Sequence, residues 1–321
     1  MDYFDLHCDT LYELSKFALY KKGGRGTLRR NGGQLDLTRA QMFSHYAQVF
    51  ALFCGAKPIQ TPEQAHRTLM HLLDTARGAF ASAEDSLMPC RTAEDLRAAR
   101  QQGKTAAFLS IEGAELMQTA EDVQAAIDAG VRIVTLTWNH RSRYGCGAAA
   151  DNDAGLTADG VRLARHLSAQ GVFLDVSHLS ERGFWDLIEC TDGPVLATHS
   201  NSRAVCPHLR NLTDEQFRAV CARGGCVGIN LYVPFLTQSG TADCDDIVRH
   251  IDHFCELGGA EHLCIGADWD GCDRLPQGIA DVTGIEQLAD ALVRRGYTDA
   301  QIAGLLYDNA NRFVTANMND K

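Results

Sequence analysis

Short apolar runs of strand length recur along the chain and alternate with longer segments of helical pattern. The eight runs cover residues 3–7, 46–53, 105–112, 131–138, 172–178, 194–200, 226–232 and 262–268. Continuous apolar runs between turn residues are typical of parallel strands that are buried on both faces. This alternation restricts the chain to an α/β architecture in which helices cover a parallel sheet.

The segments between these runs predict helices with recognisable ends. They cover residues 61–83, 92–102, 119–129, 157–170, 180–190, 213–223, 243–258 and 283–295, and a closing helix follows residue 298. Thr213 with Gln216 matches a capping box, and Gly130 and Gly171 stand where helices should end. Eight strand–helix units predict a (β/α)₈ barrel. An open doubly wound sheet is the alternative, since periodicity does not show closure, but no nucleotide-binding fingerprint supports it.

Length and composition favour one compact domain. A chain of 321 residues has room for two domains, but α/β barrels routinely fill this length as one, so we expect a single domain over residues 1–321. The composition, with 45% hydrophobic and 22% charged residues, is that of an ordinary globular protein. The Gly- and Arg-rich segment 20–35 has no periodic pattern. It predicts a solvated loop or, alternatively, a mobile lid over the mouth of the barrel.

Charge and cysteine usage exclude several classes of protein. The formal net charge of −11 argues against a nucleic-acid partner, because phosphate binding requires concentrated Lys and Arg. The N-terminus lacks the pattern of a secretory signal, and no apolar run is long enough to span a bilayer, so we expect a cytoplasmic protein without a membrane partner. The 12 cysteines are scattered and form no C-x-x-C pair, which predicts free thiols.

Polar residues with metal-binding side chains stand at the ends of five of the eight runs. They are His7 and Asp9 at the first, Glu112 at the third, His178 at the fifth, His199 at the sixth, and Asp268 with Asp270 at the eighth. Barrel enzymes assemble their active sites from the C-terminal ends of their strands. Each residue alone would ordinarily be a cap or a satisfied core group, but together they are expected to converge.

Converging imidazoles and carboxylates would be costly to bury unless a cation neutralised and coordinated them. This mixture of donors favours zinc or a similar first-row ion over calcium or magnesium. Five protein ligands exceed the need of one tetrahedral zinc, so two metals that share a bridging carboxylate are the economical solution. No lysine falls in the runs from the third to the eighth, and Glu112 is the candidate bridge.

These segments together resemble the membrane, or renal, dipeptidases and their bacterial relatives, which are amidohydrolase-like barrels. The matching segments are DLHCDT with His7 and Asp9, SIEGAE with Glu112, LDVSHLS with His178, ATHSNSRAVCPHLRN with His199 and Arg210, and IGADWDG with Asp268. Five segments in order and with compatible spacing are highly specific, and the resemblance runs essentially from end to end.

The resemblance implies a zinc-dependent dipeptidase with two Zn²⁺ per chain. It implies that His7 and Asp9 bind one ion, that His178 and His199 bind the other, and that Glu112 bridges them. It also implies that Arg210 grips the terminal carboxylate of a dipeptide, consistent with bidentate guanidinium–carboxylate pairing, and that Asp268 transfers a proton. Asp270 is the alternative proton carrier. Relatives suggest a homodimer and commonly accept a D-residue at the C-terminal position.

The chain departs from the family pattern after the fourth run. Some relatives place a substrate-contacting histidine directly after Leu-Thr, where this chain has Trp138, Asn139 and His140. Either His140 supplies that contact from two residues further along, or Trp138 and Asn139 reshape the pocket while His140 is an exposed loop residue. Tyr232, at the end of the seventh run, is a candidate substrate-contacting wall, or a plain aromatic at the rim.

Two other functions stay open. A neighbouring barrel family would hydrolyse another small amide or a lactone, which the carboxylate clamp predicted at Arg210 argues against. A barrel that has lost catalysis would serve as a binding protein, which the complete set of ligand residues argues against. Metal analysis followed by a dipeptide-hydrolysis assay separates these alternatives.

Overall fold

The structure is a computed structural model that describes residues 1–20, 26–55, 59 and 61–318. Within these residues, the strands all run parallel in one sheet. They are β1 (Tyr3–Cys8), β2 (Tyr46–Phe53), β3 (Leu87–Pro89), β4 (Thr105–Glu112), β5 (Val131–Thr135), β6 (Phe173–Asp175), β7 (Val195–Ala197), β8 (Cys226–Ile229) and β9 (Leu263–Ile265).

The sheet closes on itself to form a barrel. Its order is β2-β1-β9-β8-β7-β6-β5-β4-β3, and β2 also pairs with β4, which joins the two ends of the series. Eight strands therefore form the ring, while β3 pairs with the first residues of β4 outside it. The predicted (β/α)₈ barrel is confirmed, and the open doubly wound sheet is excluded. The expectation of one domain over residues 1–321 stays a prediction.

Helices cover the outside of the ring. In the described residues they are α1 (Thr10–Tyr20), α2 (Leu37–Ala40), α3 (Pro62–Ala81), α4 (Ala93–Gln101), α5 (Ala120–Ala129), α6 (Ala158–Ala169), α7 (Glu181–Cys190), α8 (Asp214–Ala222), α9 (Val233–Leu236), α10 (Cys244–Glu256), α11 (Ile285–Arg295), α12 (Asp299–Ala303) and α13 (Asn309–Asn317). The eight predicted helices are present, and the predicted capping box of Thr213 and Gln216 begins α8. The predicted closing helix is interrupted by a π-helical turn at Gly304–Asp308.

Two kinds of feature differ from the sequence prediction. The helices α1, α2 and α9 and the strand β3 were not predicted. The strands β5 to β9 end earlier than the apolar runs do, because the last three residues of each run lie beyond the hydrogen-bonded ladder. In the run 172–178, for example, β6 ends at Asp175, and His178 has a φ of 69°, which lies outside the range of a strand.

Apolar side chains fill the inside of the ring below its mouth. One cluster contains residues from all eight barrel strands, such as Phe4, Phe108 and Phe173, and it includes Phe313 and Val314 of α13. Its members take alternate positions along β4, Ala106 and Phe108, and so lie on the face of the sheet that points into the barrel, where α13 covers the lower end. A larger cluster lies between the strands and the surrounding helices. Side chains alternate along β4, so Phe108 shares its inward face with Glu112 at the top.

The described part of segment 20–35 is a loop with exposed residues, such as Thr27 and Arg30, that is also anchored to the barrel. Leu28 and Leu35 are buried, and Gln34 exchanges hydrogen bonds with Asp270 after β9, at 2.6 and 2.7 Å. Residues 21–25 of that segment lie outside the described residues. All 12 cysteines are free thiols, as predicted. Among the described helices, none is both long and apolar enough to cross a membrane.

Candidate metal centre

The predicted ligand residues meet at the C-terminal mouth of the barrel. Glu112 is the last residue of β4 and His7 lies near the end of β1, while His178 and His199 follow β6 and β7 by two or three residues. The register of β1 against β2 shifts between Asp5 and Cys8, which lets the end of this strand depart from regular pairing. All these side chains are almost completely buried.

The carboxylate of Glu112 lies between two groups of imidazoles. Its Oε1 is 2.8 Å from His178 Nε2 and 3.7 Å from His199 Nε2, whereas its Oε2 is 3.7 Å from His7 Nε2. Glu112, His7 and His199 thus offer ligand atoms within 4.8 Å of one another. His7, Asp9 and Asp268 form a second such group. Each of these two groups of residues could hold a metal ion, and both contain His7.

Hydrogen bonds at the far side of each ring determine which nitrogen faces the cluster as an acceptor. His178 Nδ1 donates to Asn139 Oδ1 at 2.8 Å. Thr198 Oγ1 gives its proton to Asp175 at 2.6 Å, so the 2.8 Å contact between Thr198 and His199 Nδ1 requires the imidazole to donate. Both Nε2 atoms therefore carry lone pairs. They face each other at 2.7 Å beside the Glu112 carboxylate.

The electrostatics of this cluster favour a bound cation. Burial lowers the pKa of His178 and of His199 well below the usual range, so neither ring carries a second proton. Burial also raises the pKa of Glu112, and the nearby carboxylates of Asp9 and Asp268 raise it further. Converging lone pairs and buried carboxyl groups repel one another unless a positive charge is placed among them. The residues present therefore fit a metal site.

Asp268 and Asp270, which the sequence alone does not separate, have different surroundings. Asp268 Oδ1 lies 3.8 Å from His7 Nε2, and its Oδ2 accepts a hydrogen bond from Asn230 Nδ2 at 3.1 Å. Asp270 accepts hydrogen bonds from Thr10 Oγ1 at 2.7 Å and from the backbone of Gln34 at 2.6 Å. Asp268 therefore faces the metal cluster, while Asp270 binds the segment around residue 34 through Oδ1 and Thr10 through Oδ2.

The backbone at the mouth is strained at the residues that carry the site. Among the described non-glycine residues, positive φ angles occur at His178 (69°), Asp268 (64°) and Asp270 (66°). Such conformations each cost on the order of 1–3 kcal/mol and persist only where the surroundings enforce them. Gly271 contributes by its lack of a side chain, since a Cβ there would lie 2.1 Å from Asp268 Oδ1.

A carboxylate that the sequence analysis did not single out supports the ligands from below. Asp175, the last residue of β6, accepts hydrogen bonds from the hydroxyls of Thr135 at 2.7 Å and Thr198 at 2.6 Å. Its other oxygen accepts from the backbone N–H groups of Ser177 and Thr198, both at 2.9 Å. Asp175 thereby links the ends of β5, β6 and β7 and fixes the chain that leads to His178 and His199.

Arg210 is a buried cation beside this cluster. The residue is 5% exposed. Its Nη2 donates to His199 O at 3.4 Å, and its guanidinium lies 5.4 Å from the centre of the Phe235 ring. Its Nε has no hydrogen-bond partner in the described residues, and no described carboxylate lies within 4.0 Å of it. Burial lowers its pKa to about 10, so the group is still charged at neutral pH. It can accept an anionic partner.

The remaining predicted site residues lie further out. His140 is exposed, and its ring centre is 5.6 Å from that of Trp138; no described contact joins it to the metal cluster. Instead, its neighbour Asn139 makes the hydrogen bond to His178. Tyr232 is half-buried, and its ring packs edge-to-face with that of Phe235, which also contacts Arg210 and His208.

Sequence reasoning missed Asn139 and Asp175 as groups that orient predicted ligands, and Asn230 as the group that orients Asp268. A signal was present for two of them, since Asp175 and Asn230 are single polar residues inside apolar strand runs. Such residues are buried by position and must find partners. Asn139 gave no comparable signal, because it lies in a polar loop sequence.

A closed parallel barrel whose mouth collects imidazoles, carboxylates and a buried arginine defines the class of metal-dependent barrel hydrolases. The family model described as membrane dipeptidase, peptidase family M19, matches residues 1–320. The chain belongs to this family and is a peptide-bond hydrolase of the metal-dependent dipeptidase type, which confirms the resemblance seen in the sequence.

Relatives and solved structures agree with this assignment. An uncharacterised dipeptidase of Schizosaccharomyces pombe is 30% identical over 293 residues, which are 86% of this chain and 70% of that protein. A metallo peptidase of Rhodobacter sphaeroides, solved with a phosphinate mimic of the dipeptide L-Ala-D-Ala, is 28% identical with a TM-score of 0.90, and the match covers 99% of each chain. A structure described as dipeptidase AC, of family M19, is 29% identical with a TM-score of 0.90 and covers 100% of this chain and 99% of that one.

We expect Asn139→Ala to weaken metal binding by about 10- to 100-fold, the usual cost of losing a hydrogen bond that orients a ligating imidazole. The measurement is metal retention during titration with a competing chelator. Asn152→Ala, an exposed residue of the same loop, is the matched control and should retain metal like the unmodified enzyme. Equal retention by both variants would show that Asn139 does not orient a ligand.

Proposed function

We propose that this chain is a zinc-dependent dipeptidase that holds two metal ions and hydrolyses dipeptides with a free C-terminal carboxylate, including L-Xaa-D-Xaa substrates. The observation that carries the proposal is the convergence of the His178 and His199 lone pairs on Glu112, with His7 at the other carboxylate oxygen. Mixed imidazole and carboxylate donors suit zinc. The phosphinate mimic of L-Ala-D-Ala bound to the Rhodobacter sphaeroides metallo peptidase supports a D-residue at the C-terminal position.

The two oxygens of Glu112 support its role as a bridge. Oε1 faces His178 and His199, while Oε2 faces His7, so one carboxylate can serve two ions. His7 and Asp9 would hold the first ion, and His178 and His199 the second. When bound, the zinc pair supplies Lewis acidity, which makes a water nucleophilic at neutral pH and offsets charge on the substrate carbonyl.

Asp268 is the proposed proton carrier. Burial raises its pKa to about 6, and Asn230 orients its carboxylate toward the cluster. A carboxylate with a pKa near neutrality can accept a proton from the attacking water and deliver it to the leaving nitrogen. The C–N bond then breaks with hydroxyl on the new carboxyl group and hydrogen on the new amine. The bonds to Thr10 and Gln34 argue against Asp270 in this role.

Arg210 is the proposed site for the substrate's terminal carboxylate. A buried guanidinium without a carboxylate partner in the described residues is costly to maintain, and a bound anion would offset that cost. Because Arg210 donates to the backbone oxygen of His199, its charge lies beside the metal cluster. That proximity limits the distance between the scissile bond and the chain terminus to about one residue.

The function is tested with zinc-loaded enzyme against a series of L-Xaa-L-Xaa and L-Xaa-D-Xaa dipeptides, together with elemental analysis. We expect hydrolysis of dipeptides and two zinc ions per chain. A protein that binds metal but leaves every dipeptide intact would favour another amide or a lactone as the substrate. A protein that binds no metal would favour a binding role.

Asp268→Asn should lower kcat by about 10²- to 10⁴-fold, the usual range for the loss of a general acid or base, while it leaves most of the metal bound. The measurement combines steady-state kinetics with elemental analysis. Asp273→Asn, an exposed carboxylate with 78% of its side chain accessible, is the matched control and should behave like the unmodified enzyme. Near-normal turnover of Asp268→Asn would remove this residue from proton transfer.

Arg210→Met should reduce kcat/KM by roughly 30- to 150-fold, or about 2–3 kcal/mol, because a charge-assisted pair with the substrate carboxylate is lost. The sharper measurement compares each dipeptide with its C-terminal amide. The unmodified enzyme should strongly prefer the free acid, and the variant should show almost no preference. Arg218→Met, exposed on α8, is the control. If the unmodified enzyme hydrolyses acid and amide equally well, the carboxylate clamp is wrong.

The catalytic role of His140, the substrate contact of Tyr232, the homodimer and the cytoplasmic location stay predictions. The exposure of His140 favours the interpretation in which Trp138 and Asn139 reshape the pocket. The contact of Tyr232 with Phe235 supports a position for its ring on the same side of the mouth as Arg210. Light scattering of the purified protein tests the dimer.

A further inference from the structure

Three aromatic rings form a continuous series that begins at a predicted metal ligand. The ring of Trp138 lies roughly parallel to that of His178, with 6.0 Å between their centres. Phe53 is 5.4 Å from Trp138, and Tyr12 is 5.1 Å from Phe53. We call Tyr12, Phe53 and Trp138 the aromatic wall. It extends from the metal cluster toward α1.

The wall is partly open. Phe53 is buried behind the other two rings, whereas Tyr12 and Trp138 are half-buried. Large aromatic residues normally cover most of their surface, and a group of them left accessible beside a polar centre is typical of a ligand pocket. The wall therefore offers an apolar surface directly beside the reacting groups.

The aromatic wall lies on the opposite side of the barrel from Arg210, the predicted carboxylate clamp. Phe53 ends β2, and β2 is four strands from β7 in either direction around the barrel. The chain after β7 leads to His199 and Arg210. A dipeptide spans only about 7 Å when extended. A substrate that starts from Arg210 and crosses the metal cluster would thus bring its N-terminal residue toward β2 and β5, where the wall stands.

We propose that the aromatic wall binds the side chain of the substrate's N-terminal residue and makes the enzyme prefer dipeptides that begin with a large apolar residue. The inference rests on the proposed function, because it takes the carboxylate end of a dipeptide to lie at Arg210. The indole of Trp138 is the principal contact, since it is the half-buried ring nearest to the metal cluster.

The test uses two dipeptide series with zinc-loaded enzyme. In the first, Gly-Ala, Ala-Ala, Leu-Ala and Phe-Ala vary the N-terminal residue; in the second, Ala-Gly, Ala-Leu and Ala-Phe vary the C-terminal one. We expect kcat/KM to be about 10-fold or more higher for Phe-Ala than for Gly-Ala, in the range that apolar pocket contacts supply. Trp138→Ala should remove most of that ratio, Trp138→Phe should keep part of it, and neither should change the ratios of the second series.

Controls separate the wall from its neighbours. Trp185→Phe, on α7, should leave both series unchanged. Because Trp138 lies against His178, metal content is measured for each variant, and Tyr12→Leu tests the other end of the wall should Trp138→Ala lose metal. Equal kcat/KM values across the first series in the unmodified enzyme would overturn the role of the wall alone, and so would a full Phe-Ala preference in a Trp138→Ala variant that keeps its metal. If Trp138→Ala loses metal, a full Phe-Ala preference in Tyr12→Leu overturns that role instead. An enzyme that hydrolyses no dipeptide overturns the proposed function, and the wall with it.

Discussion

Buried imidazoles and carboxylates share the mouth of this barrel, and positive charge among them would stabilise their close packing. The Nε2 atoms of His178 and His199 approach to 2.7 Å with their lone pairs facing, and Glu112 lies beside both. Arg210 supplies one buried cation nearby, but its donors do not reach the centre of the cluster. Metal ligation is therefore the constraint that the other features of the mouth serve.

Hydrogen bonds behind the predicted ligands hold these closely packed imidazoles and carboxylates in place. Asp175 accepts four hydrogen bonds, which connect β5, β6 and β7 just below the ligands. Asp175 also fixes the direction of the Thr198 hydroxyl proton. The Thr198 oxygen then accepts from His199 Nδ1, which fixes the tautomer of His199. A single carboxylate thus controls both the position of the strand ends and the donor atom that a ligand presents. The strained backbone at His178 and Asp268 is tolerable because such bonds surround it.

Much of the fold was predictable because strand and helix periods are local properties of the sequence. The long apolar strands β2 and β4 match their predicted runs residue for residue. The strand β3 was missed because three residues carry no period, and β6 was overextended because apolar residues continue past the last ladder bond. The convergence of His7, Glu112, His178 and His199 was also predictable, since parallel strands in a barrel end at the same face.

What could not be predicted depends on contacts between distant loops. The separation of Asp268 from Asp270 follows from Thr10 and Gln34, more than 230 residues away in sequence. The hydrogen-bond partner of His178 is Asn139 of the loop after β5, and the path of that loop determines this pairing. No period or spacing in the chain encodes such pairings, which arise only when the loops pack together.

The adjacency of Trp138 and Asn139 couples the aromatic wall to the orientation of a predicted metal ligand. One residue stacks on the His178 ring, and the next holds that ring by a hydrogen bond. Substitutions at neighbouring positions that share a partner are generally not additive. Mutational paths that alter substrate range at position 138 are therefore expected to be epistatic with position 139, so that the evolutionary order in which these two residues change matters as much as their identities.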